Sequence, residues 1–218
     1  MDVDHQQSFR QALGSFATGV TIATTLDDQG NPVGVTASSF NSVSLDPPLV
    51  LWSLAKDSNS RAAFADSGHF AVHVLAASQE ALSNRFAKTG EDKFGGMDWD
   101  RGKLGSPVFA EHAALFECAT RHQYDGGDHI IIVGEVVDFE ARDEAPLLFH
   151  GGRYADHRPR GSAGDADDVN NRTGAQRLAL AAATLEQALA ASNSPELPAD
   201  DIDAMRRVIA HLQDSASG

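Results

Sequence analysis

At 218 residues, 42% hydrophobic and 22% charged, the chain has the composition of a globular protein with one good core and room for an appendage. Its net charge of −14, from 31 acidic against 17 basic residues, argues against nucleic acid and against anionic membrane surfaces, both of which call for a positive footprint. No apolar run approaches the roughly 20 residues of a membrane helix, MDVDHQQSFRQ lacks a signal peptide's basic start and apolar core, and the lone Cys118 excludes an internal disulfide, so the cytoplasm is the expected compartment.

Residues 8–18, SFRQALGSFAT, carry Phe9, Ala12, Leu13 and Phe16 at helical spacing and are predicted as a short amphipathic helix. GVTIATTL and VGVTASSF flank the turn DDQGNP, which is a hairpin signature. LVLWSL, after Asp46-Pro47-Pro48, is a further strand. Between these strands stand Thr36, Ser38, Ser39, Asn41, Ser42 and Ser44. They make either a solvated loop or a groove of hydroxyls and backbone N–H groups for a polar ligand. SNSRAAFAD, 58–66, suits a short helix opening on capping residues. GHFAVHVLA alternates, with Phe70, Val72 and Val74 on one face and His69, Ala71 and His73 on the other. SQEALSNRFAK is helical, with Leu82 and Phe86 four apart, and Thr89 to Pro107 is loop-rich. LFECATRHQYD and HIIIVGEVVDFEA are strands around the turn GGD. Ile130 to Val133 is apolar on both faces, which implies burial on both sides. PLLFHGGRY ends the pattern.

Some seven strands, three short helices and no strand–helix–strand rhythm place the chain as mainly β or α+β, not a doubly wound sheet. After Tyr154 the composition changes. Residues 1–155 are expected to form one domain, 156–172 a Gly, Asp and Arg-rich flexible linker, and 173–218 a helical hairpin. Leu178, Ala182, Leu185 and Leu189 mark one stripe of that hairpin, and Ile202, Met205, Ile209 and Leu212 the other. It is too small to hold a core alone, and its apolar stripes call for docking.

No spacing reads as a metal site: the single cysteine excludes C-x-x-C, and the one H-x-x-x-H, from His69 to His73, lies in an alternating strand where residues four apart stand about 13 Å from one another, so no metal is expected. Cys118 lies on the apolar face of a strand, where cysteine is usually a small core residue. A P-loop and a Rossmann G-x-G-x-x-G are absent. What remains is a dispersed polar set at strand ends and turns: Thr36 to Ser39, Ser53, Ser58 to Arg61, Gly126 to His129, and Tyr154. Ser58 and Ser60 are either helix caps or, with Arg61, a phosphate seat.

Taken in order, FRQALGSFATGVTIATT, SSFNSVSLDPPLVLWSL, HFAVHVLAASQ, NRFAK, DKFGG and GDHIIIVGEV resemble the flavin reductase-like family, small reductases that supply reduced flavin to two-component monooxygenases. The similarity runs from Phe9 to Tyr154. It is most specific in S-S-F-x-S-V-S-x-D-P-P-L-V and G-D-H-x-x-x-x-G-x-V. The resemblance implies an FMN-binding split β-barrel that pairs as a homodimer, binds FMN or FAD, oxidises NADH or NADPH, and serves a flavin-dependent monooxygenase component. It also implies that Thr36, Ala37, Ser38 and Ser39 line the isoalloxazine, with Ser53 on the neighbouring strand and Ser58, Ser60 and Arg61 near the phosphate. His129 then faces the nicotinamide as the catalytic-site residue, and Tyr154 closes that pocket. His73 stands where the family often has asparagine, and either alters flavin contacts or fills space. The competing reading is a non-catalytic flavin- or haem-binding split-barrel carrier or sensor. Three roles are open to the C-terminal hairpin: reinforcing the dimer, gating the nicotinamide pocket, or meeting the oxygenase.

Overall fold

The computed structural model of the protein describes residues 3–90, 92–157 and 210. Contacts divide the chain into two units, Met1–His157 and Arg158–Gly218. The expected linker and helical hairpin lie outside the described residues, apart from residues 156, 157 and 210.

Helix α1 (Val3–Gly14) begins upstream of the amphipathic stretch and stops at a glycine. Its Phe9 and Leu13, and Phe16 just beyond, stay exposed. Strands β1 (Thr18–Gly19), β2 (Thr21–Leu26) and β3 (Pro32–Ala37) follow, and β2–β3 is the expected hairpin, running from Thr21 opposite Ala37 to Leu26 opposite Pro32. The Asp27 carboxylate accepts the backbone N–H groups of Gln29 and Asn31 at 2.9 and 2.7 Å, and Gly30 takes φ +80°, a turn that aspartate and glycine stabilise for separate reasons.

The next segment departs from expectation. Rather than a loop between two strands, it holds a further strand, β4 (Asn41–Leu45), folded back on β5 (Pro48–Ala55) with Leu45 opposite Pro48. The alternation Ser42-Val43-Ser44-Leu45 is a strand pattern, but serine-rich composition reads as loop. Then come α2 (Arg61–Asp66), β6 (His69–Val74), a 3₁₀ turn Ala77–Gln79 and α3 (Glu80–Ala87). The loop-rich stretch contains a small ladder, β7 (Asp100–Arg101) with β8 (Pro107–Val108). The long hairpin is β9 (Ala114–Gly126) with β10 (His129–Ala141), and β11 (Leu148–His150) and β12 (Arg153–Ala155) complete the described unit.

One antiparallel sheet dominates, in the order β3-β2-β6-β9-β10-β5-β4. Two apolar clusters fill it. Trp52, Phe64, Phe70, Val72, Cys118 and Ile132 anchor one, and Ile22, Leu75, Phe86, Phe94, Phe109 and Leu147 the other. The alternation predicted for β6 is present, but both of its faces are buried: Phe70 and Ala71 are equally enclosed. Burial pushes the Cys118 thiol up to about 12, with the Glu117 charge adding to it, so the cysteine is the inert core residue its strand position suggests. Where β3 approaches β5 the barrel closes without a continuous ladder. There the Ser39 hydroxyl accepts the Ser53 N–H at 2.9 Å and donates to the Ser53 carbonyl at 3.2 Å. This is the split of a split barrel. No helix among the described residues is long and apolar enough to cross a membrane.

Candidate active site

The split opens a cleft of about 540 Å³. Its walls bring together Thr36, Ala37, Ser38, Ser39, Ser53, Ser58 and His129 from three separate parts of the chain. The strands dictate the arrangement. Trp52 and Leu54 are buried and point into the core, so Ser53 and Ala55 face the other way. On β10, Ile130 and Ile132 are buried while Ile131 is half-buried and lies on the cleft floor.

The hydroxyls are not equally available. That of Thr36 donates to the Ser83 carbonyl of α3 at 2.7 Å, and the buried Thr21 hydroxyl donates to the Ala37 carbonyl at 2.7 Å. These bonds hold the exit of β3 in place. Ser39 is committed to Ser53, and the Ser58 hydroxyl accepts the Ser60 N–H at 3.3 Å. Ser38 is exposed on the cleft wall. Backbone groups therefore supply much of the polarity expected of the serine-rich turn.

His129 is positioned by the turn before it. Gly127 takes φ +85°, the Asp125 carboxylate accepts the Gly127 N–H at 2.9 Å, and Lys56 bonds Asp125 at 2.6 Å. The Lys56 N–H also bonds the Asp128 carbonyl at 2.9 Å, tying the end of β5 to the turn. The imidazole Nδ1 lies 2.7 Å from the Asp128 carboxylate. That contact holds the Asp128 carboxyl below the usual carboxylate range and leaves Nε2 as the other polar edge of the ring.

A second cleft of about 630 Å³ adjoins the first, sharing Val35, Ala55 and Ser58. Ser60, Lys88, Lys93, Asp57 and Asp92 line it. The Lys93 ammonium donates to the carbonyls of Phe86 (2.8 Å) and Gly34 (3.1 Å), and burial lowers its pKa. Sequence reasoning singled out neither lysine, although Lys88 stands in NRFAK and Lys93 in DKFGG. It also passed over Lys56, Asp125 and Ile131, whose nearness to the cleft depends on strand register.

Two predicted residues lie apart from these clefts. Arg61 opens α2 exposed and lines neither of them. Tyr154 also lines neither: its hydroxyl donates to Asn84 Oδ1 at 2.9 Å and lies 2.9 Å from Ser83 Oγ, clasping β12 to α3. The reason is topological, since β12 pairs only with β11 and packs with the second apolar cluster. His73 is fully buried, with Nδ1 donating to the Ile22 carbonyl and Nε2 accepting the Phe109 N–H, both at 3.2 Å. Its ring packs on Phe109 at 4.5 Å. Of its two readings, space-filling is the one this geometry matches.

The first cleft has an apolar floor, backbone and hydroxyl donors and no carboxylate side chain on its walls, which fits a flat heteroaromatic ring such as a flavin's. The lysines of the adjoining cleft fit an anionic tail leaving that ring.

A family model described as "Flavin reductase like domain" matches residues 13–158. The FMN reductase (NADH) SmoA of Agrobacterium fabrum is 50% identical over 151 residues, which is 69% of this chain and 86% of the relative. Among solved structures, nitrilotriacetate monooxygenase component B from Mycobacterium thermoresistibile superposes with a TM-score of 0.70 at 41% identity, covering 75% of this chain and 92% of that one. The NADH:FAD oxidoreductase SgcE6 of Streptomyces globisporus, in complex with NAD and FAD fragments, superposes at 0.69 with 38% identity, covering 74% and 98%.

Proposed function

The chain belongs to the flavin reductase-like domain family and is an NAD(P)H-dependent flavin oxidoreductase, and we propose that it reduces FMN or FAD in the cleft at the barrel's split and supplies the reduced flavin to a partner monooxygenase. The observation that carries this reading is the cleft itself, where the serine-rich exit of β3 and the G-D-H turn, far apart in sequence, line one groove. A flavin held there would supply the hydride-accepting chemistry, which belongs to the cofactor and not to the side chains around it.

The protein's own residues bind and orient. The β3 exit from Ala37 to Ser39 and the Ser53 strand present donors and acceptors to the ring edge, held in place by the Thr21, Thr36 and Ser39 hydroxyl bonds. Ser58, Ser60, Lys88 and Lys93 line the path for the phosphate-bearing tail. His129, braced by Asp128, orients the nicotinamide through Nε2. Hydride transfer calls for no protein acid or base at the moment of transfer, so positioning is the histidine's contribution. NADH is the proposed donor, as it is in the name of the Agrobacterium relative.

A homodimer is part of the same reading. It is supported by the exposed apolar side chains of Phe9, Leu13, Phe16, Leu45 and Phe139. The cytoplasm is the compartment proposed, given one buried free thiol.

The test is the loss of near-ultraviolet absorbance of NADH or NADPH with purified protein and added FMN, FAD or no flavin. Oxidation in a flavin-containing mixture is expected. No oxidation in any mixture, with a chromophore still bound, would return the chain to the carrier or sensor reading.

A further inference from the structure

Building on the reductase reading, we infer that Tyr124, backed by His122, is a stacking shelf for the adenine ring of the nicotinamide dinucleotide. The ladder places it. Ile131, on the cleft floor, pairs with Ser53 on one side and with Tyr124 on the other. Residues directly opposite in an antiparallel ladder project from the same face, so Tyr124 stands on the cleft's side of the sheet, one strand spacing of about 4.8 Å beyond its floor.

The ring is held rather than loose. It stacks on His122 with centroids 5.6 Å apart and planes at 29°, yet remains 53% exposed. A single exposed aromatic residue is ordinary. One that is braced by a second ring, and lies beside a cleft whose ligands are flat and aromatic, is a surface for stacking. The way between the two is open: Gly126 shares this face, and a Cβ there would come within 3.1 Å of Ile131 Cγ1 and 3.2 Å of the His129 carbonyl.

The chemistry of the donor supplies the occupant. Its nicotinamide must lie against the flavin in the cleft, beside His129. Its adenosine, tethered through a pyrophosphate, falls outside a cleft already holding a flavin ring and finds the shelf beyond the His129 end. The flavin's own tail leaves by the opposite side, across Val35, Ala55 and Ser58 toward the lysines. The shelf therefore reads the hydride donor, not the flavin.

The experiment uses the full-length protein with FMN as acceptor, which removes the adenine of FAD, and compares NADH with reduced nicotinamide mononucleotide, which has no adenosine. Tyr124→Ala is expected to raise the KM for NADH roughly tenfold, as loss of a stacked base does, with kcat unchanged because binding lost equally in ground and transition states leaves it so. Tyr124→Phe keeps the wild-type value. With the mononucleotide donor, Tyr124→Ala and wild type coincide. An unchanged KM for NADH, or an equal loss with both donors, would overturn the shelf. Failure of the wild-type protein to oxidise either donor with any flavin would instead bring down the reductase reading, a separate result visible before any variant is made.

Discussion

At the scale of single residues, two strand histidines have opposite characters. His129 is partly exposed on the cleft, with one ring nitrogen on Asp128 and the other free to meet a ligand. His129→Ala is expected to lower kcat or raise the KM for the nicotinamide donor while the flavin dissociation constant, followed by flavin fluorescence, stays within about twofold. Unchanged steady-state kinetics would remove its orienting role. His73 is enclosed, and burial, partly offset by the bond to Ile22, drops its pKa to about 3. It is neutral in the folded protein, whereas in the unfolded chain it takes a proton near pH 6.5. The unfolded state therefore binds more protons between those values. Stability from this group is whole above pH 6.5 and falls by up to about 1.4 kcal/mol per pH unit as the pH drops toward 3. Urea unfolding from pH 7 to 5 should show this slope in the wild type and a shallower one in His73→Asn. Identical slopes would mean that the imidazole is hydrated in solution.

At the scale of elements, the glycine of G-D-H-x-x-x-x-G-x-V has a packing cause. Gly134 lies on β10 beside a shift in its register with β9, and a Cβ there would overlap the Phe70 ring and sit 2.8 Å from the Cys118 Cβ. Both neighbours are fully buried and cannot yield cheaply. Gly134→Ala should cost about 1–3 kcal/mol by overpacking, read as a lowered melting temperature. Gly19→Ala, with nothing within 4 Å of its Cβ, should stay within about 0.5 kcal/mol. Equal melting temperatures for the two variants would refute the account. Most elements were legible because their periodicity is strong: the β2–β3 and β9–β10 hairpins carry alternating or β-branched runs around turn residues. β4 escaped because three of its five residues are Asn41, Ser42 and Ser44, polar in composition although regular in alternation. The helix at residues 8–18 was displaced because Gly14 ends α1 while Phe16, beyond it, still fits the helical spacing.

At the scale of the whole molecule, eight large apolar side chains among the described residues remain exposed, from Val137 at 47% to Leu45 at 94%. Scattered single residues of this kind are ordinary, but α1 alone presents Phe9 and Leu13, with Phe16 next to it. A homodimer that covers such residues should sediment at twice the 23.1 kDa of one chain at micromolar concentration, and Leu45→Glu combined with Phe139→Glu should shift it toward the monomer. A wild-type protein that sediments as a single chain across that range would rule out the dimer.

The sequence by itself determined the class of fold, the core character of Cys118 and, through motifs kept in order, the family. These rest on local period, composition and short-range turns, all of which act between neighbours in the chain. Only the tertiary structure decided which polar groups meet. Thr36 spends its hydroxyl on α3, Tyr154 clasps α3 instead of lining the cleft, Arg61 opens a helix at the surface, and Lys88 and Lys93 line the adjoining cleft. Those outcomes follow from strand order and register. Register places Ile131 between Ser53 and Tyr124, and the pairing of β10 with β5, which sets Ile131 opposite a residue 78 positions earlier, leaves no periodic trace in the sequence of either strand.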